Sequence, residues 1–105
     1  MTLNEQNMIL LDNIKQNLTS VIETYLFEMN DCFTRNSLTR DVEGLLSRLT
    51  FKHLIEDFSI KCDETNNTDE RIDNHELWAD IAVKFNDEDD YVLLPIVVRS
   101  TVIFV

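Results

Sequence analysis

The sequence predicts an α+β domain in which two N-terminal helices pack on one face of a small, mostly antiparallel sheet. Apolar residues in the first half repeat every three or four positions, which is typical of helices that bury one side. After Lys52 the period changes to two, which is typical of strands. A length of 105 residues suits one domain with a single modest core, so we expect residues 1–105 to form one domain.

The first element is predicted to be a helix from about Asn4 to Phe27. Its apolar residues share one face, and they are Leu11, Ile14, Leu18, Val21, Ile22 and Tyr25. Polar residues, including Asp12, Lys15 and Glu23, fill the opposite face. Asn4 is a suitable N-cap because its side chain can accept a hydrogen bond from a free backbone N–H of the first turn.

A second helix is predicted from Arg35 to about Thr50, and Thr34 can cap its start. One apolar stripe runs along this helix, formed by Leu38, Val42, Leu45, Leu46 and Leu49. Gly44 lies inside the pattern at a cost of roughly 1 kcal/mol relative to Ala. Close packing against another element is one reason for a glycine at such a position.

The next two elements are predicted to be strands. The first spans about residues 58–62, where apolar residues alternate with polar ones. The second spans Glu76–Phe85 with the same alternation. The acidic, solvated turn at residues 86–90 should join this strand to the following one as neighbours in a hairpin.

The third strand, Tyr91–Val98, is apolar on both faces, so we expect it to be central or covered on both sides. Pro95 cannot donate a ladder hydrogen bond, so one side of this strand should be open or bulged there. The chain then ends in a short β-prone apolar segment, residues 101–105. We expect this terminal strand to be exposed, and therefore available for pairing between subunits, unless something pairs with it.

The net charge of −11 is unevenly distributed. Residues 1–52 carry 5 basic and 7 acidic groups, whereas residues 53–105 carry 4 basic and 13 acidic groups. Such a surface repels nucleic acid and anionic membranes, so the expected partners are proteins. No signal peptide or membrane-spanning pattern is visible. Cys32 and Cys62 are therefore expected to be reduced, as in a cytosolic setting.

The sequence offers no residue set for catalysis, and we expect neither enzyme activity nor a cofactor. One loop is crowded with carboxylates, which belong to Asp63, Glu64, Asp69, Glu70 and Asp73. The spacing does not match a calcium-binding EF-hand loop, so a solvated loop that caps its own backbone is favoured. His53 and His75 are not spaced to bind a metal with the cysteines. Trp78 on a strand favours a face-packing role over a ligand platform.

Two stretches carry the most specific pattern of the chain. They read FEMNDCFTR at residues 27–35 and DFSIKCDETNNTDERIDNHELWADI at residues 57–81. Together they resemble the C-terminal domain of contractile tail sheath proteins, which form the sleeve around the tube of phage tails, R-type pyocins and related injection machines. The resemblance covers essentially the whole chain, in order and spacing. It implies structural roles for Phe27, Asn30, Asp31, Thr34, Arg35, Asp63, Asn66, Asn67, Thr68 and Asp73.

The chain also departs from the family pattern. Sheath subunits are several times longer, and the paired arginines common at the start of the first helix are absent here. The usual Lys-Pro after the second strand is replaced by Lys84-Phe85. The natural-looking start at Met1 favours a free-standing, single-domain relative over a fragment.

The resemblance implies a structural component of a contractile tail. In sheath proteins this domain lies next to the tube, and strands donated by neighbouring subunits complete its sheet. The residues that match a donor strand are Val102, Ile103, Phe104 and Val105. Further candidate interface residues are Arg99, Asp12, Lys15 and Glu23. The implied partners are copies of this chain or sheath, baseplate, tail-end or tube proteins, in a sixfold ring of a virion tail assembled in the bacterial cytoplasm.

Two other functions stay open at this point. A lone sheath-like domain could occupy sheath or baseplate edges and block assembly without entering the particle. An acidic protein could also act as a decoy that mimics nucleic acid, although many of its charges cluster in two loops rather than along one face.

Overall fold

A computed structural model describes residues 3–99 and 102–104. The elements in chain order are α1 (Glu5–Ile22), a 3₁₀ turn (Glu23–Tyr25), α2 (Cys32–Phe51), β1 (Ile55–Lys61), α3 (Asp69–Asp73), β2 (Glu76–Phe85), β3 (Tyr91–Arg99) and β4 (Val102–Phe104). The strands form one antiparallel sheet in the order β1-β2-β3-β4. Buried residues of α1 and α2 share one core with the sheet, which confirms the predicted α+β class.

The first helix begins as predicted and ends early. The Asn4 side chain accepts a hydrogen bond from the Asn7 backbone N–H at 2.8 Å, which confirms Asn4 as the N-cap. The helix ends at Ile22 rather than near Phe27, because the chain tightens into the 3₁₀ turn. There the Thr24 hydroxyl donates to a carbonyl oxygen of the preceding turn at 2.8 Å.

The second helix begins at Cys32, three residues before the predicted start at Arg35. Its N-cap is Asp31, whose carboxylate accepts a hydrogen bond from the Thr34 backbone N–H at 2.8 Å. Thr34 therefore lies in the first turn of the helix, and the prediction that it caps the start is wrong. The suggestion that Gly44 packs closely against another element is also wrong, because a Cβ atom there would have no neighbour within 4 Å.

The core lies between the two long helices and one face of the sheet. β2 supplies the residues of the predicted inward face, which are Leu77, Ala79, Ile81, Val83 and Phe85. The helices supply the fully buried side chains of Ile14, Leu18, Ile22, Leu38, Val42 and Leu46. Burying each such side chain stabilises the fold by roughly 1.5–3 kcal/mol, so this cluster is the main source of stability.

The opposite face of the sheet is open at β3. The Leu93 side chain is 74% exposed, and Pro95 is exposed as well. The strand is central, as predicted, because it lies between β2 and β4, but it is not covered on both faces, since both long helices pack on the other face. The described part of β4 reaches only Val97. No described residue of β4 lies opposite Pro95, which agrees with the open side predicted there.

Two elements differ from the sequence expectation near the acidic loop. β1 begins at Ile55, earlier than predicted, and its pairing with β2 is irregular between Ile55 and Asp57. Residues 69–73 form the short helix α3, capped by the Thr68 side chain, where only a loop was expected. No helix within the described residues is both long and apolar enough to cross a membrane.

Candidate functional site: the asparagine network and the sheet edges

The side chain of Asn67 extends the sheet beyond the end of β1. The last residue of β1, Lys61, pairs with Asp80 of β2. Two residues before Asp80 in β2, the Trp78 N–H donates to Asn67 Oδ1 at 2.8 Å, and Asn67 Nδ2 donates to the Trp78 carbonyl oxygen at 2.9 Å. This two-bond exchange is the pattern of an antiparallel residue pair. One amide group therefore occupies the place of a missing strand residue.

Asn30 continues this extension toward the start of β2. Its Nδ2 donates to the Glu76 carbonyl oxygen at 2.8 Å and to Asn67 Oδ1 at 2.9 Å. The Arg35 guanidinium donates to Asn30 Oδ1 at 2.8 Å. Asn67 is only 2% exposed, and a buried amide needs such partners because an unpaired one is costly. The two family motifs thus meet at one place in the fold.

Asn66 and Asp63 hold the acidic loop in shape. Asn66 accepts a hydrogen bond from the Asp63 N–H at 2.9 Å and donates to the Lys61 carbonyl oxygen at 2.7 Å. The hydroxyl and backbone N–H of Thr65 both donate to the Asp63 carboxylate, and these bonds lower its pKa. The loop caps its own backbone, as predicted. In the described parts of the chain no three His, Cys, Asp or Glu side chains are grouped to hold a metal ion.

A second cluster beside the network was not predicted from the sequence. The Glu76 carboxylate accepts a hydrogen bond from Trp78 Nε1 at 3.0 Å and forms an ion pair with Arg99 Nε at 2.9 Å. The Arg71 guanidinium lies 3.8 Å from the centre of the Trp78 ring and donates to the Asn66 carbonyl oxygen. Trp78 therefore has the predicted face-packing role, on the sheet face opposite the long helices. The sequence signal that could have indicated this cluster was an arginine seven positions before a tryptophan on the polar face of a strand.

The remaining motif residues occupy the surroundings of this network. Asp31 caps α2 and Thr68 caps α3. The Phe27 side chain is 82% exposed, and Asp73 is exposed at the end of α3. Thr34 is buried in the first turn of α2. The motif residues therefore act mainly within the fold, by capping helices and by hydrogen-bonding to the backbone of β2.

The candidate interface residues do not form one cluster. Arg99 belongs to the Glu76 ion pair described above. Asp12 and Glu23 are exposed on the solvent side of the first helix and its 3₁₀ turn, and Lys15 is half-buried there. Within the described residues, none of these three side chains makes a hydrogen bond or ion pair with the asparagine network.

The predicted donor strand pairs with its own sheet. Residues Val102, Ile103 and Phe104 lie opposite Arg99, Val98 and Val97 of β3. Val105 lies outside the described residues. The terminal strand is therefore not free in the isolated chain, and its described residues form three pairs with β3.

Both cysteines are free thiols in the described structure. Cys32 is exposed at the start of α2. Cys62 is buried next to Asn67, and this burial raises the pKa of its thiol to about 11. A thiol with so high a pKa stays protonated at neutral pH and is a poor nucleophile.

Comparison with known proteins agrees with the arrangement of motifs. The chain matches the family described as phage tail sheath C-terminal domain over residues 3–99. It is 34% identical over 88% of its length to the tail sheath protein of Vibrio phage KVP40, and 36% identical over 67% of its length to that of Salmonella phage ViI. The tail sheath protein of Enterobacteria phage T4 is 29% identical over 88% of the chain.

The matched region is a small part of each relative. It spans 14% of the KVP40 and T4 proteins and 11% of the ViI protein. No solved structure matches the chain significantly. The family match covers both motif stretches, whose asparagines build the network beside β2, and the chain therefore belongs to the family of phage tail sheath C-terminal domains.

Proposed function

We propose that this chain is a structural component of a contractile phage tail or related injection machine, and that it joins its partners by strand exchange. The proposal is supported by family membership over residues 3–99. Each of the three relatives named above is a tail sheath protein. The partners would be copies of this chain or sheath, baseplate, tail-end or tube proteins.

The observation that carries the proposal is the weak hold on β4. Within the described residues, Val97, Val98 and Arg99 of β3 pair with it. A backbone hydrogen bond contributes a net of about 0.5–1.5 kcal/mol, so few such bonds oppose its release. A neighbouring subunit can offer the same pairs, and exchange of an identical element between subunits therefore costs little. In this proposal β4 leaves its own sheet and pairs with the β3 edge of a neighbour.

The two outer strands differ as acceptor edges. β1 carries exposed charged residues, Glu56, Asp57 and Lys61, and an irregularity in its pairing with β2. Charges and bulges at an edge discourage the addition of another strand. β3 offers an apolar edge once β4 has left, and Pro95 sets one limit of the region that can donate hydrogen bonds. We therefore assign the acceptor role to the β3 edge.

The proposal includes a setting for the chain. Residues 1–105 would act as one domain in a sixfold ring of the virion tail, assembled in the cytoplasm of the host bacterium. Its role would be structural, without enzyme activity. The net charge of −11 supports protein partners rather than nucleic acid or anionic membranes.

Deletion of residues 101–105 tests strand exchange. We expect the truncated chain to stay folded by circular dichroism and to lose association with itself or with sheath protein in analytical ultracentrifugation. Ile103→Pro should have the same effect because proline cannot donate a ladder hydrogen bond, whereas Ile103→Val should associate normally. Association of the truncated chain at the strength of the intact chain would show that strand exchange is wrong.

A further inference from the structure

A groove opens between the α1–α2 connection and the end of the sheet where β2 begins. It has a volume of about 470 Å³, which lies within the range of roughly 300–1,000 Å³ typical of binding pockets. Leu77 and Val98 are among its lining residues, and both are almost completely buried. Ile72 of α3 lines it as well. The interior of the groove is therefore mainly apolar.

Large apolar side chains stand uncovered at the groove and beside it. Phe27 and Met29 line the groove and are 82% and 76% exposed, and nearby Phe33 is 80% exposed. These three residues fall within seven positions of the chain. Contiguous exposed apolar groups mark interaction sites, and aromatic residues and methionine are enriched in protein interfaces. This surface therefore has the composition of a protein-binding site.

The charges around the groove favour a basic partner. Among the residues that line the groove, Glu76 has its carboxylate already paired with Arg99. The Glu28 carboxylate lines the groove and is exposed. It makes no hydrogen bond or ion pair with any residue that the structure describes. An uncompensated carboxylate at an apolar groove suits an incoming lysine or arginine.

We propose that this groove binds an extended protein segment that places large apolar side chains over Leu77 and Val98 and a lysine or arginine beside Glu28. Phe27 and Met29 would close over the apolar side chains. The groove shares Val98 with the pairing of β3 and β4. Its other lining residues lie outside that pairing, so the chain would hold a second partner segment in addition to an exchanged strand. The inference goes beyond strand exchange and does not depend on it.

Nuclear magnetic resonance titration of the intact chain tests this inference with three synthetic peptides. The first peptide carries leucine and phenylalanine flanked by lysines, the second has glutamates in place of the lysines, and the third has serines in place of the apolar residues. We expect only the first to shift the backbone amides of Met29, Leu77 and Val98. Its affinity should fall roughly tenfold in Phe27→Ser, as for a central interface residue. Glu28→Gln should weaken binding about threefold and reduce its dependence on salt.

Phe51→Ser is the matched control for Phe27→Ser. Phe51 is 86% exposed and lies at the far end of α2, about 28 Å along the helix from its first residue. We expect this variant to bind the first peptide as the unaltered chain does. Both phenylalanines are exposed, so neither substitution should unfold the protein.

Three results would overturn the inference. One is that no peptide binds, or that all three bind equally. Another is that the amide shifts map to the open face around Leu93 instead of the groove. The third is that the chain associates with itself through the groove, seen as sedimentation that depends on concentration and is lost in Phe27→Ser. Phe27→Ser should leave strand exchange unchanged, because Phe27 takes no part in the pairing of β3 with β4, so the two proposals fail separately.

Discussion

Asn67 makes hydrogen bonds to both backbone groups of Trp78, with Oδ1 2.8 Å from the nitrogen and Nδ2 2.9 Å from the carbonyl oxygen. Only a side-chain amide can accept and donate at once in this geometry. A carboxylate at this position could not donate, and an alanine could do neither. The asparagine of the acidic loop is therefore required as a substitute for a strand residue, and its loss should weaken the sheet where β2 begins.

Asn67→Ala should lower the free energy of unfolding by about 2–4 kcal/mol, because it leaves the buried backbone groups of Trp78 without partners and removes one acceptor of the Asn30 amide. Urea denaturation followed by tryptophan fluorescence measures this loss. The control is Asn36→Ala, since Asn36 is exposed on α2 and its side chain, among the described residues, hydrogen-bonds only to Cys32. Equal stability of the two variants would contradict the role assigned to Asn67.

Gly44→Ala should raise the free energy of unfolding by roughly 1 kcal/mol, because glycine is the poorer helix former. A side chain there meets no atom within 4 Å, so no clash offsets the gain. Thermal denaturation measures the change, with Ser47→Ala on the exposed side of the same helix as a control of smaller expected effect. A lower melting temperature for Gly44→Ala would contradict the open space at this position.

The two cysteines should differ in reactivity. Cys32 is exposed, whereas burial raises the pKa of the Cys62 thiol to about 11. At about pH 8, a maleimide should modify Cys32 within minutes and leave Cys62 intact until the protein unfolds. Mass spectrometry of the modified chain identifies the sites, and Cys32→Ser should therefore show almost no labelling. Rapid labelling of Cys62 in the folded chain would contradict its burial.

Both tyrosines should ionise above their ordinary range in the folded protein. Burial and a hydrogen bond to Asp41 raise the pKa of Tyr25 to about 12, and a hydrogen bond to Asp57 raises the pKa of Tyr91. A raised pKa in the folded state means that the stabilisation by Tyr25 is complete below pH 10 and is lost as the pH rises through about 12.

The ultraviolet absorbance of tyrosinate measures these ionisations during an alkaline titration. At about pH 10, the ordinary pKa of tyrosine, we expect little ionisation of the tyrosines in the folded chain and about half ionisation in denaturant. Asp41→Asn should lower the pKa of Tyr25 and leave that of Tyr91 unchanged. If the folded and denatured chains titrate together, the hydrogen bond between Tyr25 and Asp41 is not formed in solution.

The sequence was sufficient for elements with an unbroken pattern. The bounds of β2 were predicted correctly because apolar residues alternate without interruption from Leu77 to Phe85. The five-residue helix α3 was missed because it is too short to show a helical period. The cap of α2 was misplaced because Asp31 and Thr34 are both good capping residues, and only the structure distinguishes them.

The site was predictable in part. The motif stretches were recognised from their residues, but the meeting of Asn30 with Asn67 joins positions 37 apart in the chain, which no local pattern reveals. The pairing of β4 with its own β3 was not anticipated, since an apolar terminal segment has no local signal for its partner. The strand that is apolar on both sides was predicted to be central or covered on both sides. It is central in the sheet, with an open face at Leu93.

Quantitative mass spectrometry of purified tail particles from the source of this chain tests the central claim most directly. If the chain is a structural component, it should occur in the particles at a constant ratio to the tube protein, with a copy number that is a multiple of six. Absence from the particles, with the chain bound instead to unassembled sheath or baseplate protein, would contradict the structural role and favour a binder that blocks assembly.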